Sequence, residues 1–203
     1  MNGVGTVDAN RLPGESRFDY FRFYARDYPG ANLLGNGGFE YNQNKVDLQH
    51  PVSWREEGDV EASRVVRGEA FAGDFKLRHG SDRPYAVSTR QTLEFIRNGD
   101  YELRARVRRG GSGPAKLLVT GHGGPDLTLD VPSSGDWVPV KLAGIQVATH
   151  GVTLSVTSSG GAADWLEVDE LQFMKPPLPG QEPRPTRSFA YRAGDPLWAI
   201  AQG

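Results

Sequence analysis

The chain has 203 residues and a net charge of −2, and it contains 26 Gly and 14 Pro but no cysteine. Glycine and proline at this level without a strict period indicate many turns and short strands, and they exclude collagen and helical bundles. The charge gives no bulk reason to expect nucleic acid, and no apolar run reaches the roughly 18 residues of a membrane span. The missing cysteines exclude disulfides and thiolate chemistry.

Residues 1–30 form an N-terminal extension that begins with small and polar side chains and lacks the segments of a signal peptide. Residues 18–24 are densely aromatic and are similar to the last strand of lectin-like or laminarinase-type sandwich domains, so the extension could end a preceding sandwich domain. Because an isolated strand with apolar residues on both faces aggregates unless it is paired, we expect this stretch to dock along an edge of the following module.

Residues 31–175 alternate between apolar and polar side chains in short segments that are separated by glycine-rich turns. The period of two predicts strands at residues 101–108, 116–120, 127–131, 137–142, 152–157 and 165–173. Strands at such regular spacing predict an all-β, two-sheet antiparallel β-sandwich. This region is long enough to bury about 70% of its unfolded surface in an independent core.

Residues 176–203 begin with a proline-rich stretch that predicts a semi-rigid linker. Asp195 and Pro196 then give a helix-start signal close to the end of the chain. We therefore expect a piece excised from a longer protein.

Five segments of the middle region resemble, in order, the galactose-binding-like jelly-roll carbohydrate-binding modules. They are Asn-Leu-Leu-Gly-Asn-Gly-Gly-Phe-Glu at 32–40, Pro-Val-Ser-Trp at 51–54, Gly-Asp-Phe-Lys-Leu-Arg at 73–78, Gln-Thr-Leu at 91–93 with Asn-Gly-Asp-Tyr-Glu-Leu-Arg-Ala at 98–105, and Ala-Asp-Trp-Leu-Glu-Val-Asp at 163–169. The form they resemble most is the module attached to endo-β-1,4-galactanases. This resemblance implies a non-catalytic, extracellular or periplasmic domain that holds a neighbouring catalytic domain against a polysaccharide, either a galactan or an acidic plant or algal polysaccharide.

The resemblance also implies a structural Ca²⁺ where the first and last strands meet. Its ligands would be Glu40, Asp169 and backbone carbonyls around Gly68, which together suit the 6–8 oxygens that calcium takes. The alternative is that both carboxylates are ordinary solvated surface acids.

Sugar binding needs a flat apolar surface for the C–H face of a ring, which aromatic side chains supply. Tyr85 is the first candidate because it stands in a polar, proline-containing loop, and Trp165 follows a glycine-rich loop. Tyr41, beside the opening strand, is a third candidate. Trp54 is retained as a candidate although it and Trp137 are expected to pack in the sandwich.

The predicted strand at 101–108 places Arg104, Arg106 and Arg108 on one outer face, together with Glu102. A row of planar guanidinium groups can bind hydroxyl groups or a carboxylate, so an open row favours an acidic ligand such as a uronate. The alternative is a solvated face balanced by acids on neighbouring strands. His122, in a glycine-rich loop, is a further ligand candidate.

Two other functions remain open beside the sugar-binding module. One is a jelly-roll spacer that packs on its neighbours and binds no sugar. The other is a polysaccharide lyase, which needs a Tyr or His base beside a charge-neutralising Arg. The four histidines show no metal-ligand spacing, and no phosphate loop or dinucleotide motif is present. We expect neither nucleic acid nor membrane as a partner.

Overall fold

The computed structural model describes residues 29–41 and 50–180. The predicted strand at 18–24 and the helix start at Asp195 lie outside the described residues. Within them the chain forms ten strands and one short 3₁₀ turn, Val60–Ala62. The strands are β1 Arg55–Gly58, β2 Ser63–Arg67, β3 Phe75–Gly80, β4 Tyr85–Glu94, β5 Gly99–Gly110, β6 Ala115–Thr120, β7 Leu127–Asp130, β8 Ser134–Val147, β9 Gly151–Gly160 and β10 Trp165–Met174. None of the described residues belongs to a helix long and apolar enough to cross a bilayer.

The ten strands form two five-stranded sheets that pack face to face. The first sheet has the order β1-β4-β9-β6-β7, and the second has the order β2-β3-β10-β5-β8. Every strand pair is antiparallel. The prediction of an all-β, two-sheet antiparallel sandwich is confirmed.

The core lies between the two sheets and follows from the alternation along each strand. On β5, Tyr101, Leu103, Ala105 and Val107 are each at most 4% exposed. The ring of Tyr101 stacks on Phe173 of β10, with 4.9 Å between the ring centres. Burying each large apolar side chain contributes about 1.5–3 kcal/mol, so this alternation fixes which face of β5 is turned outward.

The segment at 32–40 resembles the opening strand of the carbohydrate-binding modules, but it does not form a strand here. It follows the end of β10, where Leu33 N–H donates to Phe173 O at 2.9 Å. Asn36 and Phe39 have φ values of 54° and 57°, a left-handed conformation that turns the chain instead of extending it. The segment therefore closes one end of the sandwich as a series of turns.

Gln91 on β4 bonds to two segments that precede β1, one at Gly35 and one at Ser53. Its side-chain amide accepts from Gly35 N–H at 2.8 Å and donates to Gly35 O at 2.9 Å and to Ser53 O at 2.8 Å. Trp54, next to Ser53, packs on Phe39 with 5.7 Å between the ring centres. The glutamine of the Gln-Thr-Leu motif therefore has a structural role: it connects β4 to the segments before β1.

Candidate functional site: the outer face of the second sheet

Charged and aromatic side chains cover the outer face of the second sheet. Because Tyr101 to Val107 point inward at every second position, the arginines between them point outward, as the alternation predicts. Side chains from β3, β8, β10 and the β2–β3 loop extend the surface, which we call the arginine face. It comprises Glu69, Phe71, Lys76, Arg78, Glu102, Arg104, Arg106, Arg108, Trp137, Lys141, Trp165 and Glu167.

Glu167 of β10 gathers three cations at the centre of this face. It is 2% exposed, and its carboxylate accepts from Arg78 at 2.7 Å and from Arg108 at 2.5 Å. The ammonium of Lys76 lies 3.5 Å from the same carboxylate. A buried carboxylate with three cationic partners is fully compensated, so both guanidinium groups are held in fixed orientations.

Arg104 has a partner on its own strand. Glu102 is 1% exposed, and its two carboxylate oxygens face Arg104 at 2.5 Å and Lys141 of β8 at 2.7 Å. Together with the Glu167 group, this pair shows that acids of the same face bind two of the three predicted arginines.

Arg106 differs from its neighbours because it has no carboxylate partner among the described residues. Its guanidinium carbon instead lies 4.3 Å from the ring centre of Phe71, which is 43% exposed. Phe71 meets Trp137 edge to face at 6.3 Å, and Arg108 lies 4.9 Å from the Trp137 ring. The expectation that Trp137 packs inside the sandwich is therefore wrong, because its ring lies on the outer face. Two aromatic rings and two guanidinium groups thus form one contiguous cluster.

The β2–β3 loop carries Phe71 and is tied to the sheet by side chains beneath it. Asp169 Oδ2 accepts from Phe71 N–H at 2.8 Å and from Ala72 N–H at 3.0 Å. Trp137 Nε1–H donates to Glu69 O at 3.2 Å. Burial raises the pKa of Asp169 to about 7, although the backbone donors oppose that change. These bonds position the aromatic cluster.

A pocket of about 400 Å³ opens at the other end of the face. Its lining is formed by Arg64, Arg78, Gly80, Ser81, Asp82, Ala162, Asp164 and Trp165. The Trp165 indole lies against the backbone of Gly110, where an added Cβ would stand 2.4 Å from Nε1. Arg78 covers the indole at 5.5 Å, so the pocket combines an aromatic wall with charged groups.

Trp165 and Trp137 lie on opposite sides of β5 in the arginine face, on β10 and β8. Trp165 is paired with Gly110 of β5, whereas Trp137 lies beside Arg108 of β5 and on the next strand. Two strand spacings across and two residues along place their Cα atoms about 12 Å apart. This span exceeds one pyranose ring, so an oligosaccharide could contact both indoles.

Tyr85 is not the exposed platform that its loop position predicts. It is the first residue of β4, is 5% exposed, and packs with Ala62 and Val87. Its hydroxyl donates to Asp164 O at 3.3 Å, and burial raises its pKa. The loop ends before Tyr85, and the strand that begins at this residue turns the ring into the interior.

The other candidates have different surroundings. Trp54 is half-buried against the core, as expected for a packing residue, and Nε1–H donates to Asn36 O at 3.2 Å. Tyr41 is 52% exposed. Its backbone N–H donates to Asn36 Oδ1 at 2.9 Å, and Asn36 is not part of the arginine face. His122 is 3% exposed with both ring nitrogens buried, so the expectation of an accessible His122 is wrong.

The predicted calcium ligands meet at the β2–β3 loop, but they do not form the full expected set. Glu40 Oε1 accepts from Asp74 N–H at 2.9 Å and from Phe75 N–H at 2.8 Å, while Asp169 binds the same loop nearer its middle. Burial raises the pKa of Glu40, as it does that of Asp169.

Gly68 does not fit the role of a calcium ligand. Its carbonyl oxygen accepts from Lys76 Nζ at 2.6 Å. The ammonium charge at this oxygen would repel a calcium ion. Within residues 29–41 and 50–180, no group of three or more His, Asp or Glu residues is placed to hold a metal ion. Glu40 and Asp169 are the two predicted ligands whose carboxylates remain suitable.

Phe71, Arg78, Lys141 and Glu167 are absent from the sequence-based candidates. A large aromatic residue between glycines 68 and 73, with no alternating pattern around it, was the available signal for Phe71. Glu167 is an outward residue of a predicted strand and Arg78 ends a segment that resembles the modules, but only the strand order places them beside Arg108. Sequence does not supply that order.

A second groove, of about 430 Å³, lies on the outer face of the first sheet. Its lining is formed by Glu57, Gly58, Ala86, Val87, Ser88, Pro114, Lys116, Thr157, Ser158 and Ser159. This lining contains hydroxyl groups but no aromatic ring on which a sugar could stack. The arginine face is therefore the stronger candidate.

No family model and no curated protein matches the chain. Solved structures do match. TmCBM61, a carbohydrate-binding module solved in complex with β-1,4-galactotriose, is 24% identical with a TM-score of 0.64, over 71% of this chain and 99% of that one. The CBM22-1 xylan-binding domain from Paenibacillus barcinonensis Xyn10C is 16% identical with a TM-score of 0.50, over 74% and 97%.

An enzymatically active domain of bacteriophage CBA120 tailspike protein 4 is also similar in fold. It is 11% identical with a TM-score of 0.51, and the match covers 70% of this chain but only 21% of that one. The chain thus has a β-sandwich fold that carbohydrate-binding modules share and that also occurs inside larger proteins.

Proposed function

We propose that the chain is a non-catalytic carbohydrate-binding module and that its arginine face holds a polysaccharide. The observation that carries this proposal is the cluster in which the 43%-exposed ring of Phe71 adjoins Trp137 and Arg106, whose guanidinium has no carboxylate partner within residues 29–41 and 50–180. The fold shared with TmCBM61 and with a xylan-binding domain supports it.

The chemistry of the cluster suits a sugar ring. An aromatic side chain offers a flat apolar surface at low conformational cost, and a guanidinium group offers several directed donors. Phe71 N–H donates to the Asp169 carboxylate, and Trp137 Nε1–H donates to Glu69 O. These two bonds hold the surface in place before a ligand binds. Such preorganisation reduces the entropic cost of binding.

Two narrower features of the proposal concern the ligand and the parent protein. The galactotriose bound by TmCBM61 makes a galactan one ligand to test. The resemblance to modules of secreted enzymes supports a neighbouring carbohydrate-active catalytic domain and an extracellular or periplasmic location.

We also propose that a calcium ion binds between Glu40 and Asp169. Both carboxylates accept hydrogen bonds from the β2–β3 loop, and burial raises the pKa of each. A bound cation would offset this cost of burying the ionised carboxylates. Their hard oxygens suit calcium. The ion would stabilise the loop that carries Phe71.

A structural spacer is the second candidate, and specific contacts favour it. Arg104 and Arg108 are paired with acids, and Tyr85 is buried, as a spacer would predict. Phe71 and Arg106 favour binding instead. A lyase needs an accessible Tyr or His base beside an arginine, and Tyr85 and His122 are both buried.

Affinity electrophoresis on a panel of neutral and acidic polysaccharides tests the proposal. We expect retardation in at least one gel, and we expect it to diminish in Phe71→Ala. If no polysaccharide in the panel retards the wild-type chain, the spacer is the better account.

A further inference from the structure

We infer that the ligand of the arginine face is an anionic polysaccharide, with a carboxylate or sulfate group bound by Arg106. This inference rests on the proposed function, because it specifies the charge of the ligand at the same site. It is supported by the charge balance of the face, by the solvent-facing donors of Arg106 and by the small number of open acceptors.

The arginine face has an excess of positive charge on a chain whose net charge is −2. Six cations contribute to it: Lys76, Arg78, Arg104, Arg106, Arg108 and Lys141. Only three carboxylates of the face oppose them, those of Glu69, Glu102 and Glu167. Asp169, buried beneath the loop, removes one further charge when it is ionised. The remaining positive potential attracts anions.

Arg106 supplies donors that the protein itself does not use. Within the part of the chain that the structure describes, the Arg106 side chain forms neither an ion pair nor a hydrogen bond, and its guanidinium carbon lies 4.3 Å from the Phe71 ring centre. None of its nitrogen atoms is both buried and unpartnered. Its donors therefore face solvent beside the ring, in the planar arrangement that matches a carboxylate or a sulfate.

Two of the three carboxylates on the face, those of Glu102 and Glu167, are buried against cations, whereas the Glu69 side chain is 82% exposed. The carboxylates of Glu102 and Glu167 are each contacted by two or more cations, and Glu69 accepts from Arg108 at 3.0 Å. A sugar hydroxyl both donates and accepts. The O–H donors of a neutral glycan would therefore find few open acceptors on this face. A carboxylate or sulfate only accepts, which complements a surface of free donors.

The test measures binding to polygalacturonate, to a sulfated galactan and to neutral β-1,4-galactan, each at low salt and at about 0.5 M salt, where the Debye length is only a few ångströms. We expect binding to at least one anionic polymer that weakens strongly with salt. The polymer that binds distinguishes a carboxylate from a sulfate ligand.

Arg106→Gln should reduce that anionic affinity about tenfold, the loss typical of one charge-assisted bond. Arg55→Gln is the matched control because Arg55 is exposed on β1 of the other sheet. Equal melting temperatures of the two variants show that both remain folded.

Three results would overturn the inference, and they differ in what they imply for the proposed function. Salt-independent binding to neutral galactan alone refutes the anionic ligand and leaves the carbohydrate-binding module standing. Anionic binding that Arg106→Gln and Arg55→Gln reduce equally refutes the role of Arg106. Absence of binding to all three polymers counts against the inference and the module together.

Discussion

Arg106 and Phe71 form a stacked pair in which a strand residue supports a loop residue, with the guanidinium carbon 4.3 Å from the ring centre. Arg106 lies over one face of the ring, Trp137 meets it edge to face, and 43% of Phe71 remains exposed, so we expect the opposite face of the ring to be open to a ligand. A sugar ring stacked there would have a positive charge on the far side of the aromatic platform.

Replacing Phe71 by alanine should weaken polysaccharide binding by about 1–2 kcal/mol, roughly tenfold, because the main flat apolar surface is lost. The melting temperature should change little, since the side chain is not part of the core. Affinity electrophoresis and thermal unfolding measure both effects. Phe95→Ala is the matched control, because Phe95 is 89% exposed on the β4–β5 turn. Equal losses in the two variants would contradict the assignment.

Gly37 should tolerate no larger side chain. A Cβ at this position would stand 2.0 Å from the backbone oxygen of Leu171, a contact that only a shift of the chain could relieve. Gly37→Ala should therefore lower the free energy of unfolding by about 2 kcal/mol or more. Gly135→Ala, where a Cβ meets nothing within 4 Å, should stay within about 0.5 kcal/mol of wild type. Urea unfolding compares them, and equal stabilities would refute the packing described for residues 32–40.

His79 should make the sandwich less stable in acid. The side chain is fully buried between Ser158 Oγ at 3.0 Å and Thr89 Oγ1 at 2.9 Å, and burial lowers its pKa from 6.5 to about 3. Between these two values the unfolded chain binds a proton that the folded chain excludes, so stability is full above about pH 6.5 and falls as the pH is lowered toward 3.

Urea unfolding of the wild type and of His79→Gln at pH 7 and pH 5 isolates this effect, since other titrating groups, Asp169 among them, are common to both proteins. The wild type should lose at most about 1.4 kcal/mol per pH unit relative to the variant. A pH dependence that is the same in both proteins would show that His79 does not titrate as described.

Calcium should raise the melting temperature if Glu40 and Asp169 hold the ion. A ligand that binds only the folded chain adds about 2.7 kcal/mol at one hundred times its dissociation constant. Differential scanning calorimetry with calcium and with EDTA measures this, and Asp169→Asn should abolish the difference while keeping an oxygen acceptor for the Phe71 N–H. Identical melting curves with calcium and EDTA would remove calcium from the account.

The sequence was sufficient to predict the sandwich because alternation determines which side chains enter the core. It placed Tyr101, Leu103 and Val107 inside and the arginines of the same strand outside, as observed. It did not predict the turns of residues 32–40, because left-handed conformations at Asn36 and Phe39 leave no periodic signal.

The site was harder to predict because it depends on strand order and on one loop. Glu167 binds Arg78 and Arg108 only because β10 lies between β3 and β5, a neighbour relationship that chain order conceals. Tyr85 looked exposed because polar residues precede it, yet the strand begins at that residue and buries it.

The indole N–H signals of the tryptophans in a ¹H–¹⁵N NMR spectrum test the central claim most directly. Titrating the chain with fragments of whichever polysaccharide retards it should shift the signals of Trp137 and Trp165, which lie on opposite sides of β5 in the arginine face. The signal of Trp54, which donates to Asn36 O away from that face, should stay in place. Saturable binding that shifts Trp54 and leaves Trp137 and Trp165 unchanged would contradict the account.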